Sequence, residues 1–268
     1  HTLTSIKNLE SSGSVIPIEV QSSAHGKDIL YQIQRLELTD KNDRVNVTNA
    51  ALSVKLRIDM GGEPGPYTNG DILDFSALTH GIDYRDGVLR NAGSKIVRNL
   101  EVRGAEQVTL TSHDDIFAAT SAGTIVVGGA GNDKFVQIGY GAVVYGGTGV
   151  DTFNLANDVL LADVEAHDKI TLYGSVEITG ALRNEASESV WAVGKFGERY
   201  AINQAGELVI RNFWGQETYV RDYIGGPGAP FNLAGIYTAN FSVTAYRLID
   251  PNLPPGSVNS QLELLKAQ

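Results

Sequence analysis

Two nine-residue segments constrain the fold of this chain more than any other feature. GGAGNDKFV occupies residues 128–136 and GGTGVDTFN occupies residues 146–154, so the two segments begin eighteen positions apart. Both follow the pattern G-G-x-G-x-D-x-U-x, in which U is a large apolar residue. This pattern is typical of a β-helix repeat, in which each turn and strand stacks on the equivalent part of the next coil. Two copies in one register indicate stacked coils rather than a single glycine-rich loop.

The same nine-residue register runs without a gap through five blocks, from residue 110 to residue 154. The eighth position of every block is large and apolar, and these residues are Phe117, Val126, Phe135, Val144 and Phe153. The sixth position is acidic only in alternate blocks, where it is Asp115, Asp133 and Asp151. We therefore predict that two blocks form one coil of a flattened solenoid. Its eighth-position side chains point inward, its coils pair as parallel strands, and its three aspartates form a column along one edge.

The motif residues are suited to holding a hard cation. Glycine at positions one, two and four permits positive φ, so the turn is tight and its carbonyls can face one point. The aspartate at position six adds a carboxylate, and an all-oxygen cage of about six to eight ligands favours calcium over zinc or copper. The predicted main site lies between two successive turns, and its candidate ligands are Gly128, Gly129, Ala130, Gly131, Asp133, Gly146, Gly147, Thr148, Gly149 and Asp151.

Two weaker calcium sites are predicted on either side of the main one. The first would use His113 and Asp115 together with residues 128–133, and the second would join residues 146–151 to Asp163 or Asp168. The calcium edge is thus one-sided, with Asp133 at its centre. The alternative is a metal-free solenoid whose glycines and aspartates only form turns. Aspartates stacked one coil apart without a cation would repel each other, so we expect calcium binding to be coupled to folding.

Composition narrows the class of partner. The chain has 268 residues, with 31 Asp and Glu against 21 Lys and Arg, and its net charge is −10. This balance disfavours nucleic acid or an anionic membrane as the main partner and favours cations. The sequence has no cysteine, which excludes disulfides and thiolate metal sites. It has no apolar run long enough to span a bilayer. Because it begins at His1 without a signal peptide, we expect a piece of a longer protein.

The chain is predicted to be all-β and to divide into three regions. Residues 1–60 are expected to form a β-rich flank, residues 61–173 the calcium-binding parallel roll, and residues 174–268 a β-rich cap. Residues 84–94 are polar and turn-rich, and a short helix is predicted at 260–266. We expect Trp191, Phe213 and Trp214 to pack in the core of the cap; a carbohydrate-binding aromatic platform is the alternative.

The two nonapeptides resemble the RTX (repeats-in-toxin) family of proteins that Gram-negative bacteria secrete through type I systems. GDILDFSAL at residues 70–78 is similar to the segment that precedes the β-roll in RTX proteases. HDKITLYG at 167–174 is similar to the usual end of the roll, and residues 191–213 resemble its C-terminal flank. The resemblance is specific over residues 110–154 and looser over 70–213. The chain departs from the family in having two full motifs, on one edge only.

This resemblance implies a right-handed parallel β-roll that folds on calcium binding outside the bacterial cell. It also implies a secretion and folding module that presents a neighbouring domain, with the type I secretion machinery as a partner. No HExxH, GxSxG, P-loop or dinucleotide motif occurs, so no catalytic motif indicates an enzyme. Two alternatives stay open: an adhesin or surface-layer module that binds a glycan or partner chain, and an enzyme acting on an acidic polysaccharide. The latter would use acid pairs such as Asp114–Asp115 or Asp71–Asp74.

Overall fold

The structure, a computed structural model, confirms the all-β class. It describes residues 3–8, 18–22, 26–30, 35–38, 42–47, 55–61, 70–92, 95–119, 121–154, 156, 158–165, 167–172, 176–178, 181–184, 191–203, 207–221, 232–233 and 236–237. Every regular element in these ranges is a β-strand, and the strands form two large mixed sheets and two small antiparallel ones. The helix predicted at 260–266 lies outside the described residues. The described part of the chain has no helix long and apolar enough to cross a membrane.

The chain divides into two compact units, His1–Asp151 and Thr152–Gln268. The strands of the first unit are β1 (Leu3–Asn8), β2 (Ile18–Ser22), β3 (Gly26–Leu30), β4 (Arg35–Glu37), β5 (Arg44–Asn46), β6 (Leu56–Asp59), β7 (Ile72–Asp74), β8 (Ile82–Arg85), β9 (Val88–Ala92), β10 (Lys95–Arg103), β11 (Gln107–Thr109), β12 (Ile116–Ala119), β13 (Ile125–Ala130), β14 (Lys134–Ile138) and β15 (Val143–Thr148). β1, β2 and β3 form a small antiparallel sheet of their own.

From β11 onward, consecutive strands of the first unit alternate between two sheets. One sheet has the order β5-β7-β11-β13-β15 and is parallel throughout. The other has the order β4-β6-β10-β9-β8-β12-β14. Val108 pairs with Val126 and Val126 with Val144, while Phe117 pairs with Phe135 in the other sheet. Paired residues are therefore eighteen positions apart, as the two-block coil predicts.

The inward-facing core follows the predicted eighth positions. All five of these side chains, Phe117, Val126, Phe135, Val144 and Phe153, are buried. In the first unit, aromatic rings continue this column toward the N-terminus. The ring centroids of Phe117 and Phe135 are 6.3 Å apart, those of Tyr84 and Phe117 also 6.3 Å, and those of Phe75 and Tyr84 5.0 Å. Stacked apolar residues of this kind stabilise successive coils through the area they remove from water.

An antiparallel hairpin interrupts the parallel order of the sheet that contains β8, β9 and β10. β8 turns back at Asp86 and Gly87, whose φ values are 50° and 78°, and β9 pairs antiparallel with both β8 and β10. Positive φ at both central residues is the signature of a tight β-hairpin, which Asp-Gly favours. The segment 84–94, described from the sequence as polar and turn-rich, thus contains a tight turn at Asp86 and Gly87, and the strand β9 follows that turn. The sheet that contains β8, β9 and β10 is therefore mixed, whereas the other large sheet of the first unit is parallel throughout.

The second unit is mainly an antiparallel meander. Its strands are β16 (Thr152–Asn154), β17 (Val159–Leu161), β18 (Lys169–Leu172), β19 (Val176–Glu177), β20 (Ala181–Asn184), β21 (Ala192–Gly194), β22 (Arg199–Ile202), β23 (Leu208–Arg211), β24 (Glu217–Val220), β25 (Asn232–Leu233) and β26 (Ile236–Tyr237). One sheet has the order β16-β18-β19 and another the order β20-β21-β22-β23-β24-β17. The β21–β24 strands are antiparallel neighbours, and β17 joins β24 in parallel.

The core of the second unit does not contain the tryptophan and phenylalanine predicted for it. Its fully buried side chains include Tyr200 and Ile210. Phe213 and Trp214 are instead 77% and 66% exposed, because they occupy the turn between β23 and β24. The core prediction is therefore wrong for these two residues. Trp191 is half-buried, and the Arg211 guanidinium lies over its ring, 4.0 Å from the centroid.

Candidate metal centre

The glycine-rich turns of the two nonapeptides lie side by side in the first unit. Gly128, Gly129 and Ala130 end β13, and Gly146, Gly147 and Thr148 end β15. Gly129 pairs with Gly147 and Ala130 with Thr148 across the parallel ladder. The Gly131 amide then donates a 2.9 Å hydrogen bond to the Thr148 carbonyl. The structure thus brings the predicted main-site turns together.

The stacking of these turns itself requires glycine. Gly129, Gly131, Gly147 and Gly149 have φ values between 93° and 136°, a region that L side chains rarely adopt. A β-carbon on Gly147 would overlap the backbone of Gly129, and one on Gly149 would overlap the Gly131 carbonyl. Each turn therefore lies directly on the backbone of the turn before it. The glycine pattern is explained by this contact whether or not an ion is bound.

The three aspartates of the motif form the predicted column, and all are buried. The Asp115 amide donates to Asp133 Oδ1 at 2.8 Å, and the Asp133 amide donates to Asp151 Oδ1 at the same distance. The Ile82 amide donates in turn to Asp115 Oδ1 at 2.7 Å. Each carboxylate therefore caps a backbone N–H of the preceding turn, which would otherwise be left unsatisfied in the interior. This capping role was not predicted from the motif, which indicated only a metal ligand at these positions.

The second oxygens of Asp115 and Asp133 differ in their surroundings. Asp115 Oδ2 accepts hydrogen bonds from the Thr111 amide at 2.7 Å and the Thr111 hydroxyl at 3.0 Å. Asp133 Oδ2 is buried and accepts no hydrogen bond. A β-carbon on Gly128 would lie 2.5 Å from Asp133 Oδ2 and would overlap the carbonyl oxygen of Gly146. Two oxygens, one of them a carboxylate oxygen without a hydrogen bond, thus border the space beside the Gly128 Cα.

Burial and mutual repulsion make this carboxylate column unfavourable on its own. Burial, followed by the charges of Asp115, Asp151 and Asp114, raises the pKa of Asp133 to about 8. Burial also raises the pKa of Asp115, against the lowering effect of its hydrogen bonds from Ile82 and Thr111. A raised carboxyl pKa means that the fold favours the protonated, uncharged form of the carboxyl group at that position.

The donors present fit calcium better than a metal that is held by side chains. No three His, Asp or Glu side chains of the described residues converge on one point. An ion beside Asp133 must therefore take most of its ligands from backbone carbonyls, such as that of Gly146. Calcium accepts carboxylate and carbonyl oxygens in flexible geometry, whereas zinc favours imidazole and thiolate. The buried Asp133 oxygen and the Gly146 carbonyl oxygen are thus two donors of the type that calcium accepts.

The residues of the two weaker predicted sites have other contacts. Gly131 packs against the backbone of His113, whose ring Nδ1 lies 3.3 Å from Ser112 Oγ. Both carboxylate oxygens of Asp115 accept hydrogen bonds, as described above. In the second unit, Asp168 is buried, and its Oδ2 accepts a 2.6 Å hydrogen bond from the Glu165 amide. The described contacts of Asp115 and Asp168 are therefore those of turn-capping residues.

An outer ladder runs alongside the buried column. Asp114 Oδ1 accepts hydrogen bonds from the Asn132 amide at 2.7 Å and from its side-chain nitrogen at 3.2 Å. Asn132 Oδ1 accepts in turn from the Val150 amide at 2.9 Å. These residues occupy the fifth position of their blocks, directly before the buried aspartates. Asp114 was considered only as half of an acid pair, and the ladder was not predicted because position five varies in the motif.

Acidic residues also precede strands of the opposite sheet, where the sequence indicated turns without the motif. Asp43, Asp71 and Glu106 come directly before β5, β7 and β11. The Asp43 amide donates to Asp71 Oδ1 at 2.6 Å, and the Asp71 amide donates to Glu106 Oε2 at 2.8 Å. These partners are 28 and 35 positions apart, so a search at period nine cannot find them. An acid directly before an alternating strand was the available signal.

The carboxylates considered for polysaccharide chemistry are engaged in structural contacts. A cleft of about 590 Å³ beside the His113 turn is lined by Asp83 and Asp114, among others. Asp83 forms an ion pair with Arg85 at 2.6 Å, and Asp114 belongs to the outer ladder. Asp74 pairs with Arg44. Although burial raises the pKa of Asp74, hydrogen bonds from Ser76 and Arg44 bring it below its usual value.

No protein-family model matches this chain, and no curated protein matches it. The likeness to RTX proteins therefore stays a resemblance carried by the motif residues.

Proposed function

We propose that this chain is a calcium-binding module of the RTX type, in which residues 61–173 form a parallel β-roll that is interrupted by the antiparallel strand β9. The observation that carries the proposal is Asp133 Oδ2, a buried carboxylate oxygen without a hydrogen bond. This oxygen and the Gly146 carbonyl oxygen both lie beside the Gly128 Cα, and Asp133 is the middle member of a column of three buried aspartates. The parallel pairing eighteen positions apart supports the roll, because it places one motif turn directly on the next.

The capping of backbone N–H groups does not by itself explain why charged aspartates occupy this buried column. One oxygen of Asp133 is enough to accept the Asp115 amide, and an asparagine would do so without a charge. The second oxygen brings a charge into a place where burial and neighbouring carboxylates oppose it. A bound calcium ion would offset both effects, since it supplies positive charge to buried oxygens.

The biological role follows from the coupling of calcium to folding. Where calcium is scarce, repulsion within the column favours the open chain, and at extracellular calcium concentrations the roll is stabilised. We propose a secreted bacterial protein whose roll orders after export and presents a neighbouring domain. A second candidate, a surface-binding module, is favoured by the aromatic side chains exposed in the second unit.

The test is a calcium titration of the full chain, followed by far-UV circular dichroism and by thermal unfolding. We expect β-structure to increase and the Tm to rise as calcium goes from micromolar to about 10 mM. Magnesium at the same ionic strength is the control, because it tolerates a carbonyl cage poorly. An unchanged spectrum and an unchanged Tm across the calcium range would contradict the proposal.

Asp133→Asn distinguishes a calcium ligand from a turn cap. The asparagine keeps an oxygen for the Asp115 amide but loses the charge, so calcium affinity should fall by about tenfold or more. The calcium-free variant should be at least as stable as the calcium-free wild type, because a buried charge is removed. Asp114→Asn, in the exposed outer ladder, is the matched control and should retain most of the calcium response. Equal affinities for Asp133→Asn and wild type would show that Asp133 only caps the turn.

A further inference from the structure

A pocket of about 270 Å³ lies in the first unit, beside the hairpin that interrupts the regular coils. It is bordered by the turn between β8 and β9, by the loop that follows β10 and by the loop that follows β12. Its lining includes Tyr84, Asp86, Val102, Val108, Ser121 and Thr124. The residues proposed to bind calcium lie outside this lining, so the pocket is separate from the candidate metal centre.

The hairpin turn that carries Asp86 is held between β10 and β12. The Asp86 amide donates a 2.9 Å hydrogen bond to the Ala118 carbonyl, and the Val102 amide donates a 2.7 Å hydrogen bond to the Gly87 carbonyl. A β-carbon on Gly87 would overlap the Val102 carbonyl oxygen, so the turn lies in close contact with β10. The Asp86 side chain therefore starts from a fixed backbone position at the edge of the pocket.

Tyr84 carries a hydroxyl that its packing role does not require. It belongs to the inward aromatic column, where it pairs with Phe117 across the parallel ladder, and its ring centroid lies 5.0 Å from that of Phe75. A phenylalanine would provide the same packing. Tyr84 is only 3% exposed, yet its hydroxyl forms no hydrogen bond with any described residue. A buried hydroxyl without a partner is unfavourable, so this group indicates a partner from outside the chain.

The hydroxyl end of Tyr84 borders the pocket. The ring packs against Phe75 and Phe117, which leaves the hydroxyl end of the side chain to face the open space. Burial, followed by the charge of Asp86, raises the pKa of Tyr84, and Asp86 lines the same pocket. The phenol therefore stays protonated at neutral pH and offers an O–H donor to a ligand.

The other polar groups of the lining act mainly as acceptors. A carboxylate has about four acceptor sites, so Asp86 can accept a ligand hydroxyl in addition to its contacts within the protein. The Thr124 hydroxyl donates to the Ser121 carbonyl at 3.3 Å and keeps its own acceptor capacity. Arg103 also contributes to the lining, but its Nε donates to Glu101 Oε1 at 2.8 Å. The negative charge of Asp86 thus disfavours an anionic ligand.

We infer that this pocket binds a neutral sugar ring through two neighbouring hydroxyl groups. One hydroxyl accepts from Tyr84 and the next donates to Asp86, while the ring carbons pack on Val102 and Val108. A hydroxyl suits both protein groups because it donates and accepts, whereas an ammonium group only donates and would leave the Tyr84 proton without an acceptor. Pockets for drug-sized ligands have about 300–1,000 Å³, and this slightly smaller one suits a single ring. That ring is either a free monosaccharide or the terminal residue of a glycan.

Saturation-transfer difference NMR of the full chain with methyl glycosides tests the inference. The methyl glycosides of glucose, galactose and mannose are added separately in calcium-containing buffer, at millimolar concentrations that reveal weak binding. We expect saturation transfer to at least one of them, concentrated on the protons of two neighbouring ring carbons. The uronic acid that corresponds to the bound sugar should bind about tenfold more weakly, because the pocket already holds the Asp86 carboxylate.

Disaccharides then identify the source of the ring. Stronger binding of a disaccharide that carries the bound sugar at its non-reducing end, compared with the methyl glycoside, assigns the pocket to the end of a glycan chain. Stronger binding of the methyl glycoside than of any disaccharide assigns it to a free monosaccharide.

Three variants assign the contact to the pocket. Tyr84→Phe removes only the hydroxyl and should weaken binding by about fivefold, without lowering the Tm, because an unpartnered buried group is lost. Asp86→Asn removes the charge but preserves the turn, since Asn-Gly favours the same hairpin, and should weaken binding by about tenfold. Tyr145→Phe, which removes a hydroxyl on β15 outside the pocket, is the matched control and should bind as the wild type does.

Circular dichroism and thermal unfolding check that each variant is folded. The absence of saturation transfer from every glycoside would leave water as the occupant of the pocket and would overturn the inference. Unchanged affinity in both Tyr84→Phe and Asp86→Asn would also overturn it. An equal loss of affinity in Tyr145→Phe would place the binding elsewhere on the chain, with the same consequence.

Discussion

Two glycines with similar backbone angles show how differently the two units use their turns. Gly147 in the first unit has a φ of 93°, and Gly215 in the second has a φ of 83°. A β-carbon on Gly147 would overlap the backbone of the preceding turn, whereas one on Gly215 would meet nothing. Turns between parallel coils stack on each other, so their side chains must be small. Hairpin turns project from the edge of a meander and can carry rings as large as Trp214.

The difference between stacked and projecting turns also determines how each unit accommodates charged side chains. In the first unit, Asp133 is fully buried between turns, so its charge must be neutralised inside the protein by a proton or a cation. In the second unit, Arg211 and Glu217 form an ion pair on neighbouring strands and remain accessible to water. Under the proposed function, the stacked turns should make the first unit respond to calcium and to protons. The meander should respond instead to salt.

The largest expected contrast compares two aromatic residues. Phe135→Ala removes a buried ring that stacks on Phe117 and should lower the free energy of unfolding by about 3–5 kcal/mol. Trp214→Ala removes an exposed ring and should change it by less than about 0.5 kcal/mol. Urea unfolding of both variants in saturating calcium gives the two values. Similar losses for the two variants would show that Trp214 is packed in the folded protein, which would contradict the claim that the turns of the second unit project into solvent.

The paired glycine substitutions come next. Gly147→Ala combines backbone strain with a clash against the Gly129 backbone and should lower the free energy of unfolding by about 2–4 kcal/mol. Gly215→Ala introduces the strain without the clash and should lower it by about 1 kcal/mol. Thermal unfolding of the two variants measures both losses. Equal costs would mean that the turns of the first unit separate easily, contrary to close stacking.

Periodicity predicted the part of the fold in which every coil has the same length. Phe117, Val126 and Phe135 could be assigned to the core because equal coil lengths return the inward position to every ninth residue. The capping bonds could not be predicted in this way. The Asp133 motif indicates an oxygen ligand, but only the register of two coils shows that one of its oxygens accepts the Asp115 amide.

Elements outside the regular register were harder to predict for different physical reasons. The Asp86–Gly87 pair is a strong hairpin signal, but the polar residues around it indicated only a turn-rich segment, without the strands on either side. Asp71 and Glu106 are separated by an irregular number of residues. The reason is that the antiparallel β8–β9–β10 segment lies between them and lengthens that coil, while the two acidic residues still lie on neighbouring strands. Phe213 and Trp214 were assigned to a core because large aromatics are usually buried. Their turn position, between Asn212 and Gly215, was the signal for exposure.

The third prediction concerns pH and affects the first unit. Asp133 has a folded pKa of about 8 against an ordinary value of 3.8, so the folded state binds a proton more tightly than the unfolded chain. Its contribution to calcium-free stability is therefore complete below pH 3.8 and is lost as pH rises through about 8. We expect a loss of about 1–3 kcal/mol over this range. Thermal unfolding in a chelator, at a series of pH values, measures it.

Calcium should reverse this pH dependence, because the ion binds the ionised carboxylate. Calcium affinity should therefore rise with pH up to about 8, with proton release on binding detectable by calorimetry in buffers of different ionisation enthalpy. Asp133→Asn should flatten the stability profile and abolish most of the proton release. A calcium-free profile that is the same in Asp133→Asn and wild type would show that another group titrates.

The smallest expected effect concerns the stability that one ion pair contributes to the meander of the second unit. Glu217→Gln removes one charge of the pair with Arg211, whose side chain is 33% exposed against 22% for Glu217. Because water screens such pairs, the cost should be below about 1 kcal/mol. Adding salt should reduce that cost, whereas calcium should leave it unchanged. Unfolding of wild type and variant is measured across a salt series and a calcium series. A cost that follows calcium rather than salt would mean that the meander shares the electrostatics of the aspartate column.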